Sequence, residues 1–247
     1  MNARGDADAK RIQVVVRVRP RLPSDAPPEQ DAFASECADA RTLEVEVRSR
    51  ARKDANVGGA RQSNGAAKQF AFDACLDGDS SQAAVQAAVD MQGMVGAALA
   101  GYPVMLFAFG QTGSGKTHTI IGPETLQDQG RYQPGVDTPA EQAPDAAEAG
   151  LLSASIRAAF VQLEGASERT YEVSVTVLEV YNESISDLLG RRHNTVLRQD
   201  AAKGFYVQGL RRVVCRSAEH TEAVVAKALL HRCVAAPGSV CPRAHAC

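Results

Sequence analysis

The sequence predicts an α/β domain, and three observations carry that prediction. Short β-branched or alternating runs, Ile12–Val18 (IQVVVRV), Thr42–Arg48 (TLEVEVR) and Tyr171–Tyr181 (YEVSVTVLEVY), have the length and composition of strands. Segments with apolar residues at helical spacing lie between them. An uninterrupted apolar run, Val104–Phe109 (VMLFAF), leads straight into a glycine-rich stretch, Gly110–Thr117 (GQTGSGKT). Strands alternating with helices indicate α/β architecture. A continuous apolar run of strand length is what a strand buried on both faces requires.

The elements follow in order. Met1–Lys10 is polar, has no apolar core and is no signal peptide, so it is expected to be disordered. Ile12–Val18 is a strand that Pro20 ends. Residues 21–40 are rich in Pro, Asp and Ala and are expected to be irregular. Thr42–Arg48 reads as a half-exposed strand, Arg50–Lys68 as a loop and Gln69–Phe72 as another short strand. Ser80 and Ser81 can cap a helix running to Ala100, with Val85, Val89, Val95 and Leu99 on one stripe and Gly101 as its terminator. The residues after Gly115 open a further helix. Gly122–Glu148 carries Pro123, Pro134, Pro139 and Pro144 and reads as a long flexible loop. Leu152, Ile156, Phe160 and Leu163 stripe a helix closed by Gly165. Tyr171–Tyr181 is the longest strand candidate, and the Tyr-Asn-Glu run at its end reads as a strand end followed by a helix start. Val196–Arg198 and Phe205–Val214 are short strands around a turn at Lys203-Gly204, and Ser217 caps a last helix to about His231. No internal repeat is present.

A chain of 247 residues holds one large domain or two small ones, and 45% hydrophobic with 23% charged residues is an ordinary globular balance. A net charge of −2 gives no global attraction to nucleic acid or to acidic membranes, and no apolar run approaches membrane-spanning length. Neither nucleic acid nor membrane is therefore expected as a partner. The six cysteines are scattered and read as reduced thiols of an intracellular protein. Cys233, Cys241 and Cys247 lie near His231 and His245, but their spacing matches no familiar zinc pattern, so the end of the chain reads as an irregular tail. The basic pair Arg211-Arg212 reads as a solvated face.

Gly110–Thr117 fits G-x-x-x-x-G-K-[ST]. In this pattern a glycine-rich turn lets backbone N–H groups converge on nucleotide phosphates. Lys116 then reaches the β- and γ-phosphates, and the Thr117 hydroxyl ligates Mg²⁺. The expected ligands of this pattern are a nucleotide and Mg²⁺. Lys116 is the expected catalytic residue, and Gly110, Gln111, Thr112, Gly113, Ser114, Gly115, Lys116 and Thr117 form the cradle.

From about Arg11 to His231 the chain resembles the N-terminal part of a kinesin motor domain. FAFGQTGSGKTHTI, which begins at Phe107 and is followed by one added Ile at 121, resembles the family's phosphate loop, including the Gln after the first Gly and the Thr-His-Thr after the Lys. RVRP (Arg17–Pro20) resembles the element whose Arg and Pro flank the adenine. FAFD (Phe70–Asp73), LEVYNESISDLL (Leu178–Leu189) and RQDAAKGFYVQGL (Arg198–Leu210) resemble further family segments in the family's order. The resemblance implies a P-loop NTPase of kinesin type, a three-layer α/β fold with a mixed central sheet. It implies ATP with Mg²⁺ as cofactors, adenine contact at Arg17 and Pro20, a place for His118 near the nucleotide, and ATP-driven, microtubule-based movement. It also implies microtubules (tubulin) as partner and a cytoplasmic, cytoskeletal location.

The departures are as informative. The family continues into switch I, N-x-x-S-S-R-S-H, and switch II, D-L-A-G-S-E. Here GSVCPRAHA (Gly238–Ala246) stands in the first place, with Gly238, Cys241, Pro242 and Ala244 replacing the Asn and three serines, and no counterpart of the second follows. Residues 232–247 are thus expected to be a degenerate switch I-like tail on a truncated motor with an incomplete sheet. In the family, both neighbours of the phosphate-loop strand follow switch I. Proline at 242 removes a hydroxyl ligand and a backbone N–H together. The expectation is therefore an ATP-binding portion of a kinesin-like motor with little or no hydrolysis. The alternative is a non-catalytic remnant that binds nucleotide or a partner without moving.

Overall fold

The computed structural model describes residues 12–23, 25, 33–47, 67–122, 148–165, 170–201 and 204–232. The chain divides into two compact units, one of residues 1–122 with 145–151 and one of residues 123–144 with 152–247. The expected loop, apart from Gly122 and Glu148, lies outside the described residues. So do Met1–Lys10, most of 50–68 and the tail beyond Arg232, with Cys233, Cys241, His245 and Cys247. Among the described residues no helix is long and apolar enough to cross a membrane.

The first unit carries β1 (Val15–Arg17), β2 (Phe33–Cys37), β3 (Thr42–Val47), β4 (Lys68–Ala71), β5 (Ala74–Leu76), α1 (Gln82–Ala88), α2 (Met91–Leu99) and α3 (Lys116–Ile120). β2, β3 and β4 form an antiparallel meander, whereas β1 pairs in parallel with β5, Val16 opposite Cys75. Asp73 fixes that register, its carboxylate accepting from the Val14 N–H at 2.8 Å and its own N–H donating to the Val14 carbonyl at 3.0 Å. β2 corrects the expectation that 21–40 is irregular; Phe33–Cys37 is strand because β3 supplies a ladder partner. β5 is an element that sequence reading passed over.

The helix expected over 80–100 is two helices. Ser81 caps α1 as expected, accepting from the Ala84 N–H, and Gly101 ends α2 at φ +97°. Between them Asp90 adopts a left-handed conformation (φ 48°, ψ 57°) and its carboxylate accepts from the Gly93 N–H at 3.2 Å. A new cap in mid-helix breaks the ladder, because a short acidic side chain satisfies the next turn's orphan donors as readily as the preceding turn's carbonyls do. Cys75, Val85, Met91, Val95, Ala149 and Leu151 are buried in this unit.

Val104–Phe109 differs most from expectation. Among the described residues no strand pairs with it. Leu106 and Ala108 are half-buried, while Met105, Phe107 and Phe109 are 83%, 71% and 95% exposed. The alternation shows one packed face, so burial on both faces is overturned: an apolar run is buried twice only when neighbouring strands and a second layer cover it.

The second unit holds α4 (Leu151–Glu164, whose first residue belongs to the first unit), β6 (Val173–Val175), β7 (Leu178–Tyr181), β8 (Ser184–Asp187), β9 (Arg192–Thr195), β10 (Leu197–Asp200), β11 (Gly204–Val207), β12 (Val213–Cys215) and α5 (Ala218–Leu229). The long strand expected over Tyr171–Tyr181 is β6 and β7, which belong to different sheets: β6 pairs with β12, and β7 with β8. The helix start expected after Tyr181 is instead a two-residue hairpin. Asn182 and Glu183 take φ +48° and +62°, the paired positive values of a type I′ turn. β10 and β11 form the expected hairpin, and Gly209 at φ +73° separates β11 from β12 within the single strand expected there. Ser217 caps α5 as expected, and an Arg157–Glu222 ion pair at 2.8 Å fastens α4 to α5. Arg212 is not merely solvated: it donates to Ser174 and Glu172.

Asp187, 1% exposed, organises the turn after β8. Its carboxylate accepts from the N–H groups of Leu189 at 3.1 Å, Gly190 at 2.9 Å and Arg211 at 2.8 Å. A side chain at Gly190 would meet Asp187 Oδ2 at 2.2 Å. Asp187→Ala would leave three backbone donors without an acceptor and is expected to destabilise the protein by about 3 kcal/mol in urea unfolding. Amides of Val104–Phe109 should exchange with deuterium at close to unprotected rates while those of α1 and α2 are protected, which hydrogen-exchange mass spectrometry reads directly.

Candidate functional site

The stretch from Gly110 to Thr117 is a tight turn running into α3. Gly110, Gly113 and Gly115 hold φ values of +155°, +80° and +92°, a region that side-chain-bearing residues rarely adopt. At Gly110 space is also limiting: an added Cβ would lie 2.4 Å from Ser114 Oγ. The Ser114 N–H donates to the Gln111 carbonyl at 3.2 Å and closes the turn, while the N–H groups of Gly115, Lys116 and Thr117 find no acceptor among the described residues. These are the orphan donors that every helix start presents.

Lys116 folds back over the turn. Its Nζ donates to the carbonyls of Gly110 at 2.8 Å and Gln111 at 2.7 Å, so the ammonium is held within the turn rather than extended into solvent. Gln111, Thr112, Gly113, Thr117 and His118 are exposed, and Gly110, Ser114, Gly115 and Lys116 are half-buried. The eight consecutive predicted residues thus form one tight turn with the Lys116 ammonium bonded to two of its carbonyls and, at Gly115, Lys116 and Thr117, N–H donors that find no acceptor among the described residues. That donor set fits a polyphosphate. A divalent cation has the Thr117 hydroxyl available. Among the described residues no cluster of three acidic, His or Cys side chains stands ready to hold a metal. Such an ion fits here only with phosphate and water oxygens completing its shell.

RVRP flanks the turn from β1. Arg17 Nη1 donates to Gln82 Oε1 at 3.1 Å and Thr119 Oγ1 at 3.0 Å, and Nη2 to the Ser80 carbonyl at 3.2 Å. Burial lowers its guanidinium pKa from the ordinary value, and the negative charge of Glu148 partly opposes that shift. Pro20 packs on Gly78, where an added Cβ would lie 3.2 Å from Pro20 Cα. Sequence reading passed over Arg19, the other arginine of the same motif. Its Nη2 donates to both carboxylate oxygens of Asp25 at 2.8 Å, its stem lies 3.8 Å from where a Cβ on Gly115 would sit, and its buried Nη1 has no partner among the described residues. The Asp25 carboxyl is held below the usual range, first by the Arg19 hydrogen bond and then by the Leu22 N–H. Sequence reading also missed Gln82. A Gln directly after a cap, on a helix whose inward stripe is apolar, was the available signal.

Comparison with known proteins follows the same residues. A profile described as "Kinesin motor domain" matches residues 17–245. The chain is 32% identical over 198 residues to Kinesin-like protein KIN-14P of Oryza sativa subsp. japonica, covering 79% of this chain and 16% of that protein. It is 29% identical over 230 residues to Kinesin-like protein klp-3 of Caenorhabditis elegans (91% and 32%) and 31% identical over 230 residues to Carboxy-terminal kinesin 2 of Xenopus laevis (88% and 31%). The chain therefore spans a third or less of the length of these relatives. Among solved structures, that of a fast kinesin superposes with a TM-score of 0.67 at 23% identity, covering 90% of this chain and 53% of that one, which establishes the P-loop NTPase fold class. With the profile matched over residues 17–245, most of its length, this chain belongs to the kinesin motor domain family.

Proposed function

We propose that this chain is the ATP-binding portion of a kinesin-like microtubule motor, with the 110–117 turn as its phosphate loop. The observation that carries the proposal is the pairing of N–H groups at Gly115, Lys116 and Thr117 that find no acceptor among the described residues with the Lys116 ammonium held over the same turn. When a nucleotide binds, Lys116 exchanges two carbonyl acceptors for phosphate oxygens, a stronger charge-assisted bond. Thr117 supplies a hydroxyl to the Mg²⁺ that travels with the nucleotide, and Gln111, Thr112, Gly113 and Ser114 shape the turn around the phosphates. Arg17 and Pro20 border the adenine, and His118 lies on the first turn of α3 beside them. Family membership supports microtubules as the partner and a cytoplasmic, cytoskeletal location.

Binding and hydrolysis make different demands. The turn clamps ground-state phosphates, but phosphoryl transfer to water also needs a positioned water and charge aimed at the γ-phosphate, roles the family gives to its switch segments. The stretch Gly238–Ala246 lies outside the described residues and lacks the family's serines. The second reading, a nucleotide-binding protein without motor activity, is favoured by the exposed Met105, Phe107 and Phe109: a loop entered through an uncovered segment is less rigidly aimed.

Two measurements test these readings. Lys116→Ala removes the charge at the phosphates and is expected to weaken Mg-ATP binding roughly tenfold to a hundredfold in titration calorimetry; equal affinities would overturn the phosphate-loop assignment. Steady-state ATPase of the 247-residue chain is expected to be low and unresponsive to microtubules. A strong microtubule-stimulated rate would decide for the motor reading over the non-catalytic one.

A further inference from the structure

Gln82 is a fully buried polar side chain, 1% exposed, and a buried amide is tolerated only when its donors and acceptors are met. Both its ends meet the surroundings of the phosphate turn. Oε1 accepts from Arg17 Nη1 at 3.1 Å, and Nε2 donates to the His118 carbonyl at 2.7 Å. Arg17 closes the figure by donating to Thr119 Oγ1 at 3.0 Å. The ring Arg17–Gln82–His118–Thr119 therefore links β1, the first residue of α1, and α3. At five residues α3 is too short to hold itself, because helix nucleation is unfavourable and few internal bonds repay it. Its placement comes from outside, and these bonds supply it.

We propose that Gln82 is a positioning residue of the nucleotide site. It fixes α3, and with it Lys116 and Thr117, against β1, and it sets the direction of Arg17 at the same time. The base side and the phosphate side of the site are thereby coupled through one amide. The inference rests on the nucleotide-binding reading above. A purely structural role has a matched comparison in Gln86, one helical turn later, whose Nε2 donates to the Ala149 carbonyl at 2.9 Å in the same unit and not to a residue of α3.

The test compares the wild-type chain with Gln82→Met, Gln82→Glu and Gln86→Met, measuring melting temperature and calorimetric affinity for inorganic tripolyphosphate and for ATP. Gln82→Met loses both bonds and is expected to weaken tripolyphosphate binding at least fivefold and to reduce the preference for ATP over tripolyphosphate. Gln82→Glu keeps an acceptor for Arg17, whose charge holds the carboxylate ionised, but has no proton for the His118 carbonyl. It should restore the ATP preference and leave tripolyphosphate binding weak. Gln86→Met should lower the melting temperature comparably and leave both affinities within twofold. Unchanged affinities in both Gln82 variants, or an equal loss in Gln86→Met, would overturn the positioning role. Should Gln82→Met fail to fold, comparing Gln82→Glu with Gln86→Met separates the two roles equally well. A wild-type chain that binds neither ligand overturns the nucleotide reading itself, and this inference with it.

Discussion

The Arg17 guanidinium, bonded at once to Gln82, Thr119 and the Ser80 carbonyl, is the contact on which the placement of the 110–117 turn depends. A turn of this kind needs both ends fixed, because its use lies in presenting N–H groups in one direction. Its entrance, Val104–Phe109, has no ladder partner among the described residues and packs by one face only. Its exit is therefore the restrained end, and α3 is held there by side chains from β1 and α1. β1 is itself held by its parallel pairing with β5 and by the Asp73 bonds to Val14. Removing the register of that two-stranded pair would release Arg17, and with it the exit of the turn.

Local chemistry was legible in the sequence, and long-range pairing was not. Ser81 and Ser217 were readable as caps, and Gly101 and Gly165 as terminators, because each acts on neighbours within four residues. The glycines at 110, 113 and 115 were readable because their spacing encodes positive φ. The break at Asp90 was not legible: Asp is an ordinary residue on an exposed helix face, and only its left-handed conformation turns it into a cap. The Asn182-Glu183 hairpin was missed for a related reason, since Glu carries no signal for φ > 0 and the residues that follow have no strong strand pattern. The burial of Val104–Phe109 was misjudged because composition states what a segment can bury, whereas coverage depends on what stands beside it. Gln82 was missed because its local signal, a Gln directly after a cap, says nothing of its two partners, 65 and 36 residues away.

The two units treat the same electrostatic problem in opposite ways. After β8, the N–H groups of Leu189, Gly190 and Arg211 converge on one point, and the chain fills that point with its own carboxylate, Asp187. Gly190 permits the approach because any side chain there would collide with the carboxylate. In the 110–117 turn, N–H groups of three consecutive residues again lack a backbone acceptor among the described residues, and glycine again permits the geometry. There, among the described residues, no carboxylate accepts from those N–H groups; a lysine is folded onto two carbonyls instead. Converging backbone dipoles with an internal carboxylate form a closed structural staple. The same dipoles with an added cation and no internal anion make a site whose electrostatics favour a negative ligand from outside. That asymmetry between Asp187 and Lys116 is the physical ground for proposing the 110–117 turn, and not the turn after β8, as a binding site. It rests on charge and geometry in this chain, independently of its kinship.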